Sequence, residues 1–318
     1  MAVTKLSSDG ISNSARFVNM RAGFSGTSRI IVWGNSTRLY SNDGATWTAT
    51  TQSTLTSVGA SGNYPVTKGG RIFAVQGTGW NWSYDGITWY YTNGVAGDAN
   101  ATVNFWGEMA NGEIAWNSYY GFTRHHLMRE WSGYSGSIGS SGVPWDVSAN
   151  GIANNGVTGA SSIWVVAFAS STSAYSLNDG VSWSTFSPGA VLTALQYGGD
   201  KFLATTNSGT TYYTSTNGTT WTSRTFPITP QTRTGIRYVA GQWFLGGLSG
   251  ALYTSPDGIT WTSRTSGAGA NRVNGFGYAA NLYVAVGNAG YVATSPDGAT
   301  WTARSSGTAN DLFVVGGI

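Results

Sequence analysis

Tryptophans recur at nearly even intervals along this 318-residue chain, at positions 47, 89, 131, 183, 221, 261 and 301, which makes the successive spacings 42, 42, 52, 38, 40 and 40. Six of them close one phrase: SNDGATW at 41–47, SYDGITW at 83–89, LNDGVSW at 177–183, STNGTTW at 215–221, SPDGITW at 255–261 and SPDGATW at 295–301. Self-similarity at about 40 residues means a fold assembled from repeated supersecondary units, and no other feature restricts the chain so strongly. The third member, HHLMREW at 125–131, is degenerate, with His125, Leu127 and Met128 where the others hold Ser, Asp and Gly.

Each unit has the same interior. In the fifth, AVLTALQYGG, KFLATTN, TTYYTST and TTWTSRTF alternate apolar with polar or small residues and are parted by GGD, NSG and TNG. That is the period-2 pattern of half-buried strands joined by tight turns. Four strands per unit, seven times over, predict an all-β fold: a seven-bladed β-propeller of four-stranded antiparallel blades. The units run approximately over 16–53, 54–96, 101–141, 142–189, 190–228, 232–268 and 271–307 of a single domain. An open solenoid would show atypical capping units, whereas the last phrase nearly copies the sixth, and NDLFVVGGI then reads as a strand without partners of its own. The expectation is that 308–318 returns to the N-terminal unit and closes the ring. A partial eighth blade made by both termini stays open, because SSDGISN at 7–13 echoes the phrase. Gly and Ala in each first strand (VGASG, GFGYAA) suit innermost strands crowded around a channel.

Within the phrase, Asp accepts hydrogen bonds from turn N–H groups, Gly takes a positive φ, and the leading Ser or Thr bonds across the turn. Trp then anchors the fourth strand between blades, with a partner for its indole N–H. Ser-x-Asp-Gly-x-Thr-Trp resembles the Asp-box (BNR) repeat of sialidase-type propellers, over essentially residues 16–307. The resemblance implies that the boxes are structural and lie away from any active centre. Asp43, Asp85, Asp179, Asp257 and Asp297 are then turn-formers, Asn217 is a neutral substitute, and Trp47, Trp89, Trp131, Trp183, Trp221, Trp261 and Trp301 are the anchors. Arg224, Arg264 and Arg304, each three residues past its Trp, are expected to be outer-strand charges that discourage edge pairing rather than a ring for an anion.

Composition bears mainly on chemistry. Sixteen basic and thirteen acidic residues leave a formal +3, too small and too scattered a bias for nucleic acid. The absence of Cys removes disulfides, thiolate metal sites and Cys nucleophiles. The longest apolar run, IWVVAFA at 163–169, is short for a membrane span, and MAVTKLSSDGIS shows no apolar signal region. Sialidases of the resembled family use an arginine triad, a Tyr–Glu nucleophile pair and an Asp acid/base, and ordinary glycosidases need two facing carboxylates. Beyond the boxes and Asp9, the carboxylates Asp98, Asp146, Asp200, Asp311, Glu108, Glu113 and Glu130 pair into no recognisable arrangement. The expectation is therefore a protein that is not an enzyme, with no cofactor and no metal.

The third unit departs from the pattern. All three Glu and both His fall between 108 and 130, among Trp106, Trp116, Tyr119, Tyr120 and Trp131, and a Gly/Ser/Asn-rich loop near 133–160 follows with Trp145 and Asp146. One reading makes Glu113, Trp116, Tyr119, Tyr120, His125, His126, Glu130 and Trp145 a ligand- or partner-binding set; the other makes the unit a decayed repeat. A metal on His125, His126 and Glu130 is disfavoured, since adjacent strand residues face opposite ways. Low charge, abundant small polar and aromatic residues and near-identical tandem units resemble virion proteins of tailed bacteriophages, such as tail-fibre or head-decoration components. That resemblance implies a non-enzymatic virion protein, made in the host cytoplasm and acting outside the cell, that binds another virion protein, a host-surface glycan, or both. The alternatives are a sialidase- or glucanase-like glycoside hydrolase and a bacterial assembly-factor propeller.

Overall fold

The computed structural model describes residues 28–35, 37–50, 66–68, 71–76, 79–83, 85–93, 102–108, 114–119, 124–128, 149–157, 159–178, 182–206, 209–228 and 235–317. Among these, seven antiparallel sheets follow one another along the chain. The first holds Ile30–Gly34, Thr37–Ser41 and Thr48–Ala49, with Leu312–Gly317 added on its inner side. The second holds Val66–Lys68, Arg71–Gln76, Gly79–Ser83 and Tyr90–Asn93; the third holds Thr102–Glu108, Ile114–Tyr119 and Arg124–Met128. The fourth comprises Ala149–Asn154, Trp164–Phe168, Ser173–Ser176 and Ser184–Phe186, and the fifth Leu192–Gly198, Lys201–Thr206, Thr211–Ser215 and Thr222–Thr225. Ile236–Val239, Gln242–Gly246, Ala251–Ser255 and Thr262–Thr265 form the sixth; Val273–Ala279, Leu282–Gly287, Val292–Ser295 and Thr302–Arg304 form the seventh. Helix among the described residues is confined to two single 3-10 turns, Gly159–Ser161 and Asn288–Gly290.

The inner strands meet in sequence and the circuit closes. Leu192–Gly198 lies between Ala149–Asn154 and Ile236–Val239, Val273–Ala279 between Ile236–Val239 and Leu312–Gly317, and Leu312–Gly317 also touches Val66–Lys68. The third sheet links Arg71–Gln76 to Ala149–Asn154. Closure is made by backbone pairing of Ile30 with Gly317, Ile31 with Gly316, Val32 with Val315 and Trp33 with Val314. The molecule is a β-propeller whose first sheet takes its innermost strand from the far end of the sequence. Residues 7–13, and with them the alternative of a shared eighth blade, lie outside the described residues.

Small residues on the inner strands have a steric cause. A Cβ on Gly275 would stand 2.0 Å from the Phe313 carbonyl oxygen, and one on Gly317 would stand 2.2 Å from the Ala279 Cβ. Polar groups fasten the same seam: the Asn150 amide donates to the Leu192 carbonyl at 2.8 Å and the Asn274 amide to the Leu312 carbonyl at 2.9 Å. Between sheets lie apolar clusters such as Ile30, Val32, Val284, Val286, Val292 and Val315, none more than 3% exposed. Each fully buried aliphatic of this kind contributes roughly 1.5–3 kcal/mol.

The third-to-fourth-strand turns lean on the preceding sheet. Gly44 packs on Leu282 and Thr294, Gly86 on Ile31, Gly218 on Ile163 and Val165, and Gly298 on Gln242 and Phe244. Polar residues heading second strands clasp the turn carbonyls: Arg29 donates to the Asp85 oxygen, Lys201 to that of Asp257 at 2.9 Å, and Gln242 to that of Asp297 at 3.3 Å.

Two expectations need correction. His125, Leu127 and Met128, aligned above with box Ser, Asp and Gly, all lie inside the strand Arg124–Met128, paired with Asn117, Ala115 and Ile114. Leu and Met offer neither a carboxylate for a turn nor ease at positive φ, so the chain stays extended through Met128. The third sheet accordingly shows three strands rather than four among the described residues, and Trp131 lies outside them. The expected loop near 133–160 is also too long: Ala149–Asn154 is the inner strand of the fourth sheet, and Gly159–Ser161 is a 3-10 turn.

Candidate binding surface

Trp116 and Tyr119 lie on Ile114–Tyr119, and His125 and His126 on Arg124–Met128. Glu113, Tyr120, Glu130 and Trp145 lie outside the described residues, as do Asp98 and Asp146. The register brings Trp106, Trp116 and His126 into one transverse row across the three strands, and Phe105, Asn117 and His125 into the next. Tyr119 sits at the far end, opposite Thr102. Asn117 and Phe105 complete the second row and were not singled out by composition; the alternation in VNFWGE and IAWNSY was the available signal.

The recurring turns are built alike. In the first sheet Ser41 Oγ donates to Asp43 Oδ1 at 3.0 Å and accepts from the Gly44 N–H at 2.8 Å, while the Ala45 and Thr46 N–H groups both donate to Asp43 Oδ1 at 2.8 Å. The same set recurs at Ser255–Asp257 and Ser295–Asp297. Gly44, Gly86, Gly218, Gly258 and Gly298 all hold φ between 69° and 73°, the left-handed region that glycine enters without strain. Asn217 accepts from the Thr219 and Thr220 N–H groups at 3.0 and 2.9 Å, the part its aspartate counterparts play.

In the fourth sheet Asn178 is an acceptor of the turn. Ser176 Oγ donates to Asn178 Oδ1 at 2.9 Å, as does the Ser182 N–H. This unit has one more residue between Ser and Trp than the others. Asp179 lies outside the described residues.

These bonds set the carboxylate chemistry. The N–H groups of Thr46 and Ala45 and the Ser41 hydroxyl hold Asp43 down to about 2, and Thr300, Ala299 and Ser295 do the same for Asp297. At Asp257 partial burial pushes the other way, but Thr260, Ile259 and Ser255 outweigh it and the group again settles at about 2. Such groups are fixed anions, unsuited to proton exchange near neutrality. Indole N–H groups mostly find the expected partners: Trp89, Trp221 and Trp301 donate to the carbonyls of Gly86, Gly218 and Gly298 at 3.0–3.1 Å, and Trp261 donates to the Tyr212 hydroxyl at 3.2 Å. Trp47 Nε1 is buried without a hydrogen-bond acceptor. Arg224, Arg264 and Arg304 each donate through Nε to the threonine hydroxyl of the adjoining strand, Thr214, Thr254 and Thr294, at 2.8–2.9 Å. They are outer-strand braces. Among the described residues no group of three His, Asp or Glu is placed to hold a metal ion.

The fold and these turns define a β-propeller, and solved propellers are what the chain is similar to. The structure titled YCF48 bound to D1 peptide superposes with a TM-score of 0.56 at 16% identity, covering 76% of this chain and 81% of that one. Virginiamycin B lyase from Staphylococcus aureus gives 0.59 at 11% identity over 78% and 85%, and BBS1N in complex with ARL6DN gives 0.59 at 11% over 89% and 86%. No protein-family model matches, and neither does any curated protein.

Proposed function

We propose that the chain is a non-enzymatic Asp-box propeller that binds another protein, and that it serves as a component of a bacteriophage virion. The observation that carries the binding half is the third sheet. It is where the turn phrase is lost and where Trp106, Trp116 and His126 fall in one row. The turn carboxylates support a role without catalysis, because they are hydrogen-bonded and held ionised as fasteners. Propellers of the same architecture carry protein partners in their solved complexes, a D1 peptide on YCF48 and ARL6DN on BBS1N. The virion assignment rests on the low charge and near-identical tandem units.

Cross-linking mass spectrometry on purified phage particles tests the assignment: the chain should be present in fixed copy number and cross-linked to a neighbouring virion protein through the third sheet. Trp116→Ala and His126→Ala should release that neighbour while leaving the circular-dichroism spectrum unchanged. Absence from particles would remove the virion reading. Turnover of aryl glycosides abolished by a single carboxylate substitution would replace it with a hydrolase.

A further inference from the structure

At one place between the first two sheets, hydrogen-bond donors are buried without acceptors. Arg38 is 5% exposed and Trp33 2%. Arg38 Nε and Nη1 and Trp33 Nε1 are shut off from solvent with no hydrogen-bond partner. They sit around a third buried group, Trp89: the Arg38 guanidinium carbon lies 3.8 Å from the Trp89 ring centre and 5.9 Å from that of Trp33, and the two rings meet edge-on at 5.6 Å.

The fold does not require this charge. Arg38 pairs across the strands with Trp33, and the register-equivalent pairs in the fourth to seventh sheets are Ala167–Ser173, Thr205–Tyr212, Gly246–Leu252 and Val286–Val292. All are uncharged, and Leu or Val fills the place in two of them. Nor does the chain supply a counter-ion among the described residues. Burial alone pushes the Arg38 guanidinium below its ordinary value, whereas Arg272, the other arginine with unpartnered nitrogens, has Asp311 beside it to oppose burial. A buried guanidinium facing two indoles loses its hydration, and ring faces replace only part of it. What remains is a donor-only set, a planar fork plus an indole N–H, which matches an oxyanion.

We propose that Arg38 and Trp33 hold a small oxyanion, a carboxylate or phosphate group, between the first and second sheets, with Trp89 as the apolar wall. The pair lies one step inside the Gly34–Thr37 end of its hairpin, the end pinned by the Asn35 N–H on the Asp311 carbonyl. Binding of this kind stabilises the propeller by mass action.

The test compares wild type with Arg38→Leu, the residue of the sixth sheet at that place. Thermal midpoints are taken in sodium phosphate, sodium acetate and sodium chloride at matched pH and ionic strength, with calorimetric titration of phosphate and of acetate. Wild type should show a saturable rise of the midpoint in phosphate, acetate or both relative to chloride, and which salt acts identifies the oxyanion. In Arg38→Leu the rise should vanish. Should that variant fail to fold, Trp33→Phe keeps the guanidinium and removes one donor, and it should weaken the titrated affinity by about threefold to tenfold. Equal responses in wild type and Arg38→Leu, or no difference among the three salts in wild type, would overturn the proposal. So would an Arg38→Leu protein that is uniformly more stable with wild type indifferent to the anion, the behaviour of a merely structural arginine. The outcome does not depend on whether the third sheet binds a protein.

Discussion

Removing residues 312–318 deletes the strand that completes the first sheet, and the structure sets the size of the effect. Leu312, Phe313, Val314 and Val315 are each 8% exposed or less, and their loss uncovers Ile30, Ile31 and Val32, all fully buried. At roughly 1.5–3 kcal/mol per buried apolar side chain, the four deleted residues alone account for about 6–12 kcal/mol, an upper estimate because the unfolded chain already hides some of this surface. A domain has only about 5–15 kcal/mol of net stability to lose. The truncated protein should therefore be largely unfolded at 25 °C, or melt roughly 10–20 °C lower, by circular dichroism and tryptophan fluorescence. A synthetic peptide spanning 308–318, added in excess, should restore part of the native signal by pairing with Ile30–Gly34. A truncated chain that melts within about 3 °C of the full one, a shift worth roughly 2 kcal/mol for a chain of this length, would refute the assignment of this strand as the clasp of the ring.

Other substitutions probe the seams. Gly275→Ala places a methyl against the Phe313 backbone oxygen, so urea titration should show a loss of roughly 1–3 kcal/mol, and neutrality would mean that the inner strands are less tightly apposed. Tyr212→Phe leaves the Gly258 carbonyl without its donor and the Trp261 indole without its acceptor; a cost of about 1–3 kcal/mol is expected in the same assay. Trp261 is only half-buried, so Trp261→Ala should fall near or below the bottom of the roughly 3–5 kcal/mol range for buried aromatics. For Asp257, whose folded value of about 2 lies below the unfolded one, the stabilisation is complete above the unfolded value near 4 and is lost as pH falls from there towards 2. Acid titration of Asp257→Asn should show a shallower fall over that window, with stability at neutral pH close to wild type, because Asn217 already performs the role.

Much of the fold was legible because its signals are local. Ser, Asp and Gly in fixed order determine a turn by their own hydrogen bonds and by φ at the glycine, so Asp43, Asp85, Asp257 and Asp297 could be placed without a structure. The lone strand after the seventh unit was legible for a related reason: an apolar alternating segment needs neighbours, and the first unit had room for one. Less was legible where position depends on a distant anchor. In the fourth unit one extra residue sets Ser176 beside Asn178, and in the third the positions aligned with box Asp and Gly, Leu127 and Met128, continue a strand. Of the third-sheet residues, the types were readable but their rows were not, since Trp116 meets His126 only through register. Arg38 was hidden altogether: in TRLYS it looks like an ordinary outward-facing strand residue, and its burial comes from Trp89, 51 positions further on.

Because Ile30–Gly34 waits for Leu312–Gly317, the ribosome must deliver some 280 further residues before the opening sheet can be finished. During synthesis the nascent chain carries an uncovered strand edge and an apolar flank until Leu312–Gly317 arrives to hide them. Folding of the propeller should thus wait until Leu312–Gly317 has emerged, and the interval before that is the time at which a chaperone has most to hold.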